Sequence, residues 1–516
     1  MAKKNNVSLP PLSPRGAVVF IWRQLTSMET ALALLVLLAI AAIPGSLVPQ
    51  RRVDPTKVEA FLAENGKWGE FLDRIGMLDV YSSVWFSAIY LLLFTSLIGC
   101  VIPRLRVHYR QLRSAPPLTP KYLTRFTGYG TGESEREAED LLSDAYAYLR
   151  KRHYRVRRVE DSEGRLSLSA ERGYLRETGN LLFHLALVGV LVGVAASGVS
   201  EYRGQITLVE GQGFANSLSR YDSFKAGAWA DTSELPPLRF TLDKFSARYN
   251  SRPGPTFGQA DDYAAHVTVD GPDGSKTKHE IRVNEPLEHP GAAVFLLGNG
   301  YAPVLKVRDA EGKIVADGPV IAPPIDQNMT STVVVKAPDA KPQQLALLGI
   351  FMPTGKIDQR GPHSLFPDLL DPQIALTVYQ GDLGLDDGVP RNVYQVDTEK
   401  MTPLKGADGA PLLIRLSPGQ SAALPGGGSV EFVGVKRFAA FDVAHDSFLL
   451  FTLSMAILSL VGLALSLFIP RRRIWVRITE GTRRSVEVAG LARSDDYSLE
   501  TDVQAFRESL LKKDFR

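Results

Sequence analysis

The sequence predicts an integral membrane protein with four transmembrane α-helices, a large extracytoplasmic all-β domain and a small cytoplasmic α/β segment. Three observations predict this fold class. The apolar residues, 45% of a 516-residue chain, are gathered into a few long runs. Basic residues flank these runs on one side, and the long segment before the last run alternates apolar and polar residues as β-strands do.

The apolar runs are each long enough to cross a bilayer, because about 20 apolar residues in a helix span its hydrocarbon core. The membrane helices are predicted at residues 28–48, 84–103, 179–199 and 447–470. Pro44 and Gly45 predict a kink or unwinding near the end of the first helix, and Pro103 is expected to end the second. Gly189 and Gly193 give the third helix a small-residue face that suits close helix packing.

The distribution of Lys and Arg predicts the orientation, since basic flanks stay in the cytoplasm. The chain up to Ser27 has basic residues and no acidic ones, and arginines follow the second and fourth helices and precede the third. We therefore expect cytoplasmic segments at 1–27, 104–178 and 471–516, and extracytoplasmic segments at 49–83 and 200–446. Arg51 and Arg52 point the other way, but several acidic residues share their loop.

The segments outside the apolar runs have distinct patterns. Residues 49–83 are amphipathic, which predicts a short helix lying along the membrane. The cytoplasmic segment 104–178 predicts a helix from about Ser134 to His153, followed by two strands joined by a turn at 161–164. Segment 200–446 predicts a sandwich, a barrel or a split β-sheet, and the pattern does not choose among them. Residues 471–516 are predicted to be a cytoplasmic tail, which is short and polar from about Arg483 to Arg516.

The composition excludes several classes of function. With Cys100 as its single cysteine, the chain contains no internal disulfide, no CxxC redox pair and no CxxCH haem-attachment site. The net charge of +3 is small and the basic residues lie beside the apolar runs, so no nucleic-acid partner is expected. P-loop, GxSxG, HExxH and dinucleotide motifs are absent from the sequence. We therefore expect no catalytic residue and no self-sufficient active site.

One histidine, His184, lies inside a predicted membrane helix. A polar ring at that depth is costly unless it has a partner, so an intramembrane histidine is a candidate functional residue. Its functional options are an axial haem ligand, a metal ligand or a proton relay, and the alternative is a hydrogen bond to another helix. His445, just before the last helix, is a weaker candidate because a polar residue at the membrane boundary is common. Apart from haem iron or another metal at His184, no metal site is expected.

Several motifs, taken in order, resemble those of the ResB/CcsB family of cytochrome c biogenesis proteins. The matching stretches are residues 43–50 (IPGSLVPQ), 96–104 (SLIGCVIPR), 172–174 (RGY) with 177–184 (ETGNLLFH), 281–287 (IRVNEPL), 445–446 (HD) and 472–476 (RRIWV). Their order along the chain, together with four apolar helices and one long loop, carries the resemblance.

The resemblance implies a subunit of a system II cytochrome c synthase. Such a subunit works with a CcsA/ResC-type membrane protein to export haem and to attach it to the CxxCH cysteines of apocytochrome c on the outer face of the cell membrane. It further implies haem b in transit, a thioredoxin-like thiol reductant acting indirectly, and His184 as a candidate axial haem ligand. Any catalytic role would be shared within that haem lyase complex.

Two other functions remain open from the residues alone. A membrane-anchored sensor or receptor would bind a ligand with its outer β domain, although no kinase, cyclase or DNA-binding signature follows the last helix. An accessory subunit of a transporter or channel would line a polar path through several helices, yet the predicted helices offer only His184 and a few hydroxyl groups.

Overall fold

A computed structural model describes residues 13–512, apart from 52, 54, 127, 161–164, 386–395, 399, 407–408, 482 and 493–495. The first part of the predicted basic N-terminus and the predicted turn at 161–164 thus lie outside the described residues. The chain forms two compact units. We call residues 1–195 with 448–516 the membrane unit, and residues 196–447 the β domain.

The membrane unit contains the helices that are long and apolar enough to cross a bilayer. The helices are α1 (Pro14–Leu25), α2 (Met28–Leu47), α3 (Pro55–Arg74), α4 (Val84–Arg113), α5 (Ala138–Lys151), α6 (Leu175–Ser200), α7 (Leu449–Phe468) and α8 (Ser498–Leu511). Four of them qualify as membrane spans by length and hydropathy, namely α2, α4, α6 and α7. Serine hydroxyls cap two of these spans, since Ser27 accepts from the Thr30 N–H at 3.1 Å and Ser83 from the Phe86 N–H at 3.3 Å.

The prediction that Pro103 ends the second membrane helix is wrong. Helix α4 passes through Pro103 and continues to Arg113. Proline lacks one N–H donor, but its fixed φ near −65° is compatible with a helix, and the remaining hydrogen bonds hold the helix together. Pro44 lies in the last turn of α2, which ends three residues later at Leu47. The predicted helix in loop 49–83 is present as α3, and its position relative to the bilayer remains a prediction.

An α/β domain of the membrane unit is built from two parts of the chain that are distant in sequence. Its strands are β1 (Gly130–Ser134), β2 (Arg155–Glu160), β3 (Leu166–Arg172), β22 (Arg472–Thr479) and β23 (Arg484–Ala492). They form one antiparallel sheet in the order β1-β23-β22-β3-β2. Leu142 of α5 and Phe506 of α8 pack with Val476 of β22 in its core. The predicted tail at 471–516, polar from about Arg483, instead contains the two strands β22 and β23 and the helix α8.

The β domain is a set of antiparallel sheets, as the alternating sequence predicted. Its strands are β4 (Tyr202–Val209), β5 (Gly213–Ala215), β6 (Ser223–Ala226), β7 (Arg239–Tyr249), β8 (Ala260–Asp270), β9 (Lys276–Arg282), β10 (Leu287–His289), β11 (Ala292–Arg308), β12 (Ile314–Pro319), β13 (Ser331–Ala337), β14 (Leu345–Met352), β15 (Gly355–Asp358), β16 (Gly361–Ser364), β17 (Gln373–Gly381), β18 (Met401–Pro403), β19 (Leu413–Leu416), β20 (Gln420–Ala423) and β21 (Ser429–His445).

Two long strands organise this domain. The 17-residue strands β11 and β21 pair along their whole length, and β4 adds to β21 in the order β10-β11-β21-β4-β6. One hydrophobic core surrounds Phe351 and Phe432, and a second surrounds Phe240 and Phe441. Strand β4 begins two residues after α6 ends, and β21 ends shortly before α7 begins. The membrane-linked edge of this sheet is therefore formed by the start of β4 and the end of β21.

Candidate functional site

Helices α6 and α7 pack closely through glycines, which fixes the face of α6 that carries His184. A Cβ atom added to Gly179 would lie 2.6 Å from Leu465 Cβ, and one added to Gly462 would lie 2.5 Å from the Phe183 nitrogen. The predicted small-residue face of α6 also points to α7, since Met455 lies against Gly189. Such close approach of two helices is possible only where side chains are absent.

His184 projects away from this packed face. At about 100° per residue, it lies roughly 140° around the helix from Gly179 and Gly189. The ring is half-buried and meets Phe183 edge-on, with 5.1 Å between ring centroids. His184 therefore sits on the side of α6 that α7 leaves open.

The hydrogen bond of His184 determines which ring nitrogen is free. Nδ1 lies 2.7 Å from the backbone carbonyl oxygen of Asn180, one turn earlier. A carbonyl oxygen can only accept, so Nδ1 carries the proton in this bond and the neutral ring keeps its lone pair on Nε2. Among the residues that the structure describes, none bonds to Nε2. An imidazole held in this way is suited to coordinate iron through Nε2.

His445, the weaker candidate, belongs to the β domain rather than the membrane unit. It ends β21 and pairs with Tyr202, whose ring centroid is 5.7 Å away. Its Nε2 lies 2.9 Å from the Ser447 hydroxyl. Next to it, both carboxylate oxygens of Asp446 accept from the Ser197 hydroxyl, at 2.8 and 2.9 Å. This contact ties the last turns of α6 to the residues that lead into α7.

Another histidine and the single cysteine have ordinary structural roles. His266 lies between Ser246 and Glu280 on the strand surface. The Cys100 thiol donates to the Thr26 carbonyl at 2.7 Å and packs α4 against the start of α2. Within the described part of the chain, no group of three or more His, Cys, Asp or Glu side chains could hold a metal ion.

A buried charged network, which no sequence pattern predicted, fixes the beginning of α6. His108 is the one buried residue in the stretch 102–110 of α4. Its Nε2 lies 2.9 Å from the Thr178 hydroxyl, which in turn donates to the Tyr174 carbonyl at 3.2 Å. Its Nδ1 is 3.6 Å from a carboxylate oxygen of Glu177. His108 therefore attaches the end of α4 to the first turn of α6.

Arg471 joins the same network from the segment after α7. This guanidinium, 7% exposed, pairs with Glu177 and with Glu171, the latter at 2.8 Å. Burial of Glu171 opposes its charge, but donors from Arg473, Tyr174 and Arg471 outweigh it and lower the pKa of this carboxyl below its ordinary value. Burial and the bond to Glu171 raise the pKa of Tyr174 to about 12. The network thus joins α4, α6, β3 and β22 around the paired Glu171 and Arg471 side chains.

Comparison with known proteins identifies the family. The model of the ResB-like family matches residues 28–504, which is most of the chain. The chain belongs to the ResB-like family. The resemblance found in the sequence motifs is therefore confirmed, and the receptor hypothesis gains no support from it.

Relatives of known name agree with this family. The chain is 28% identical over 285 residues to the cytochrome c biogenesis protein CcsB of Synechococcus sp. (strain CC9311), which covers 52% of this chain and 58% of that protein. It is 23% identical over 474 residues to the CcsB of Prochlorococcus marinus (strain NATL1A), which covers 91% of this chain and 93% of that protein. The chain thus matches little more than half of the first relative and nearly all of the second.

The ResB-like match extends beyond the last of the quoted motifs, which ends at Val476, as far as residue 504. It includes β22, β23 and the first residues of α8, which complete the α/β domain. A sequence signal for the strand was present, because Ile474, Val476 and Ile478 alternate with polar or aromatic residues. His108 gave no such signal, since its neighbours Arg106 and Arg110 indicate an exposed segment.

Proposed function

We propose that this chain is a membrane subunit of a system II cytochrome c synthase. In this role it helps to export haem and presents it, with apocytochrome c, for thioether attachment at CxxCH on the outer face of the membrane. The observation that supports this best is the match to the ResB-like family, together with relatives named cytochrome c biogenesis protein CcsB. The haem-handling module and the thiol reductant would come from other chains, a CcsA/ResC-type protein and a thioredoxin-like protein.

His184 is the residue that we propose to hold haem in transit. Its Nδ1 is occupied by the Asn180 carbonyl, which leaves Nε2 as the ligand atom. His184 faces away from α7, and we propose that a second ligand comes from a partner subunit. Bound haem would supply the iron and the vinyl groups of the product, while this chain would hold and orient it. His445 is a second candidate ligand at the membrane-linked edge of the β domain.

The proposed orientation places both termini and the α/β domain in the cytoplasm and the β domain outside. Exposed arginines in the last turns of α4 support it, as does the pairing of β3 with β22, since one sheet lies on one side of a membrane. The Ser96 hydroxyl and the Cys100 thiol of α4 donate to the Leu25 and Thr26 carbonyls at 2.6 and 2.7 Å, which places the start of α2 beside the part of α4 that precedes these arginines. We therefore propose a multi-pass protein of the cell membrane.

The test is an absorption spectrum of the full-length chain co-expressed with a CcsA/ResC-type partner and purified in detergent. The variants are His184→Ala, His445→Ala and the control His266→Ala, which removes a surface histidine of the β domain. We expect a Soret band in the wild type and in the control. In His184→Ala the band should be lost or shifted, and added imidazole should restore it, because free imidazole can replace the missing ligand.

Three results would contradict parts of this proposal. An unchanged spectrum in His184→Ala would remove His184 as a ligand and place the ligands elsewhere in the complex. Equal loss in His266→Ala would show that haem binding merely reports folding. A wild-type complex that binds no haem, while co-purifying intact with its partner, would contradict the haem-handling role itself.

A further inference from the structure

Trp229 is the most exposed large apolar side chain among the described residues of the β domain. Its relative exposure is 79%, against 68% for Leu370. Single exposed apolar residues are common on protein surfaces, so exposure alone assigns no role. Two further features of Trp229 are the hydrogen bonds of its main chain and its position at the end of α6.

The main chain that carries Trp229 is held against the end of α6. The Trp229 N–H donates to the Val199 carbonyl and the Gly227 N–H to the Glu201 carbonyl, each at 2.8 Å. A third bond, from the Ala230 N–H to the Gly227 carbonyl at 3.0 Å, closes the turn. The first bond satisfies a carbonyl that the end of α6 leaves free, and the second does the same for the residue that follows the helix. The exposed indole is therefore presented by a fixed turn.

Gly227 allows this close approach. A Cβ atom at this position would lie 2.8 Å from the Val199 Cα and closer still to its carbonyl group. No other residue type could bring the turn so near the helix. The stretch from Ala226 to Ala230 also contains no charged residue. The turn is thus fixed in place, and its uncharged stretch lies between Lys225 and Asp231, as suits the boundary between lipid and water.

The length of α6 fixes the depth of this turn relative to a bilayer. From Gly179 to Val199 the helix rises about 30 Å at 1.5 Å per residue, which equals the thickness of a typical hydrocarbon core. The first turn before Gly179 holds the charged network of Glu177 and belongs in water. Val199, and Trp229 bonded to it, then fall at the opposite boundary between hydrocarbon and head groups.

We propose that Trp229 is an interfacial anchor whose indole lies in the lipid head-group layer beside the end of α6. Indole suits this layer because its rings are apolar and its N–H donates to head groups or water. The partner of this surface is the lipid bilayer itself. Through the pairing of Ala226 with Tyr202 and of Tyr202 with His445, the anchor also sets the height of His445 above the membrane. This inference does not depend on the proposed haem function.

The experiment uses tryptophan fluorescence of the full-length protein in phosphatidylcholine nanodiscs. The wild-type emission minus that of Trp229→Phe isolates Trp229, and Trp229→Tyr gives a second subtraction should the first variant be recovered poorly. The lipids carry a nitroxide quencher either near the head group or deep in the acyl chain, and iodide probes the water. The control subtraction uses Trp475→Phe, which reports a 2% exposed indole in the α/β domain.

We expect the shallow lipid label to quench the Trp229 emission several-fold more than the deep label, and iodide to quench it little. The Trp475 emission should respond to neither lipid label. Quenching of Trp229 by iodide without quenching by either lipid label would place the indole in water and overturn the proposal. Insensitivity to all three quenchers would also overturn it, since a protein partner would then cover the indole.

Discussion

Replacement of Glu171 by Gln tests whether the two distant parts of the α/β domain depend on one buried charge. The Glu171 side chain is 3% exposed and accepts from Arg471 Nε at 2.8 Å, Arg473 Nε at 2.9 Å and the Tyr174 hydroxyl at 2.9 Å. Glu171 lies on β3, whereas both arginines come from residues more than 250 positions later. The carboxylate therefore holds the start of β22 against β3.

The magnitude follows from what the substitution leaves behind. Removing one partner of a buried ion pair costs about 3–5 kcal/mol. Arg471 keeps its bond to Glu177, and the Arg473 side chain is 35% exposed and can turn to water. We therefore expect the lower end, about 3 kcal/mol, which raises the population of the opened α/β domain by roughly two powers of ten.

The assay is limited proteolysis of the full-length protein in detergent, with cleavage sites mapped by mass spectrometry. When opening is fast relative to cleavage, the cleavage rate within residues 130–172 and 472–511 follows the opened population. The matched control is Glu135→Gln. A Glu135 carboxylate oxygen lies 3.3 Å from the Arg483 guanidinium, and the two side chains are 78% and 63% exposed. An exposed pair of this kind contributes at most about 1 kcal/mol. Equal cleavage rates in the two variants would refute the reasoning.

Three further predictions follow from the same contacts. Phe506→Ala removes a buried ring stacked on Tyr148 at 4.7 Å, and the loss of about 3–5 kcal/mol should abolish hydrogen-exchange protection of α8. Gly462→Leu should lower the thermal aggregation temperature in detergent, because α6 and α7 must separate, whereas Leu460→Ala on the exposed face should not. The pKa of Glu171 in the folded protein is lowered from 4.5, so the ionised carboxylate contributes stability that is complete above that value and is lost as the pH falls further. The rate of proteolysis should therefore rise below about pH 4.5. The rise should be less steep in Glu171→Gln, which lacks the titrating group.

The membrane helices and the β domain could be predicted from sequence because each follows from one strong physical constraint. A bilayer requires a long apolar helix, and a half-buried antiparallel sheet requires alternation. The order of strands in the β domain could not be predicted, since β11 and β21 pair across more than a hundred residues. That pairing depends on three-dimensional packing that no local pattern encodes.

The candidate site could be predicted only in part, because its geometry also depends on the folded structure. The position of His184 in an apolar run was enough to single it out, but the free Nε2 follows from its bond to Asn180 in the folded helix. The role of His108 could not be predicted, because its contact with Thr178 depends on the continuation of α4 past Pro103. The prediction for Pro103 failed because a proline removes one hydrogen bond without preventing a helix from continuing.

Several arginines that follow the last membrane helix are buried in ion pairs, so they are weak evidence for the orientation of this protein. Arg471, Arg472 and Arg477 follow the last membrane helix and count as a basic flank in the sequence, yet they are 7%, 5% and 2% exposed. Arg472 pairs with Asp496 at 2.5 Å and Arg477 with Glu487 at 3.4 Å, so their presence has a structural cause.

The orientation therefore rests more firmly on two other features. Arg104, Arg106, Arg110 and Arg113 of α4 are exposed and have no comparable structural cause. The pairing of β3 with β22 over seven residues requires that α6 and α7 both cross the membrane or that neither does. Because both are apolar enough to cross, this pairing supports the proposal that the β domain between them lies on the side opposite the α/β domain. The exposed arginines of α4 favour the cytoplasm for the α/β domain in that proposal.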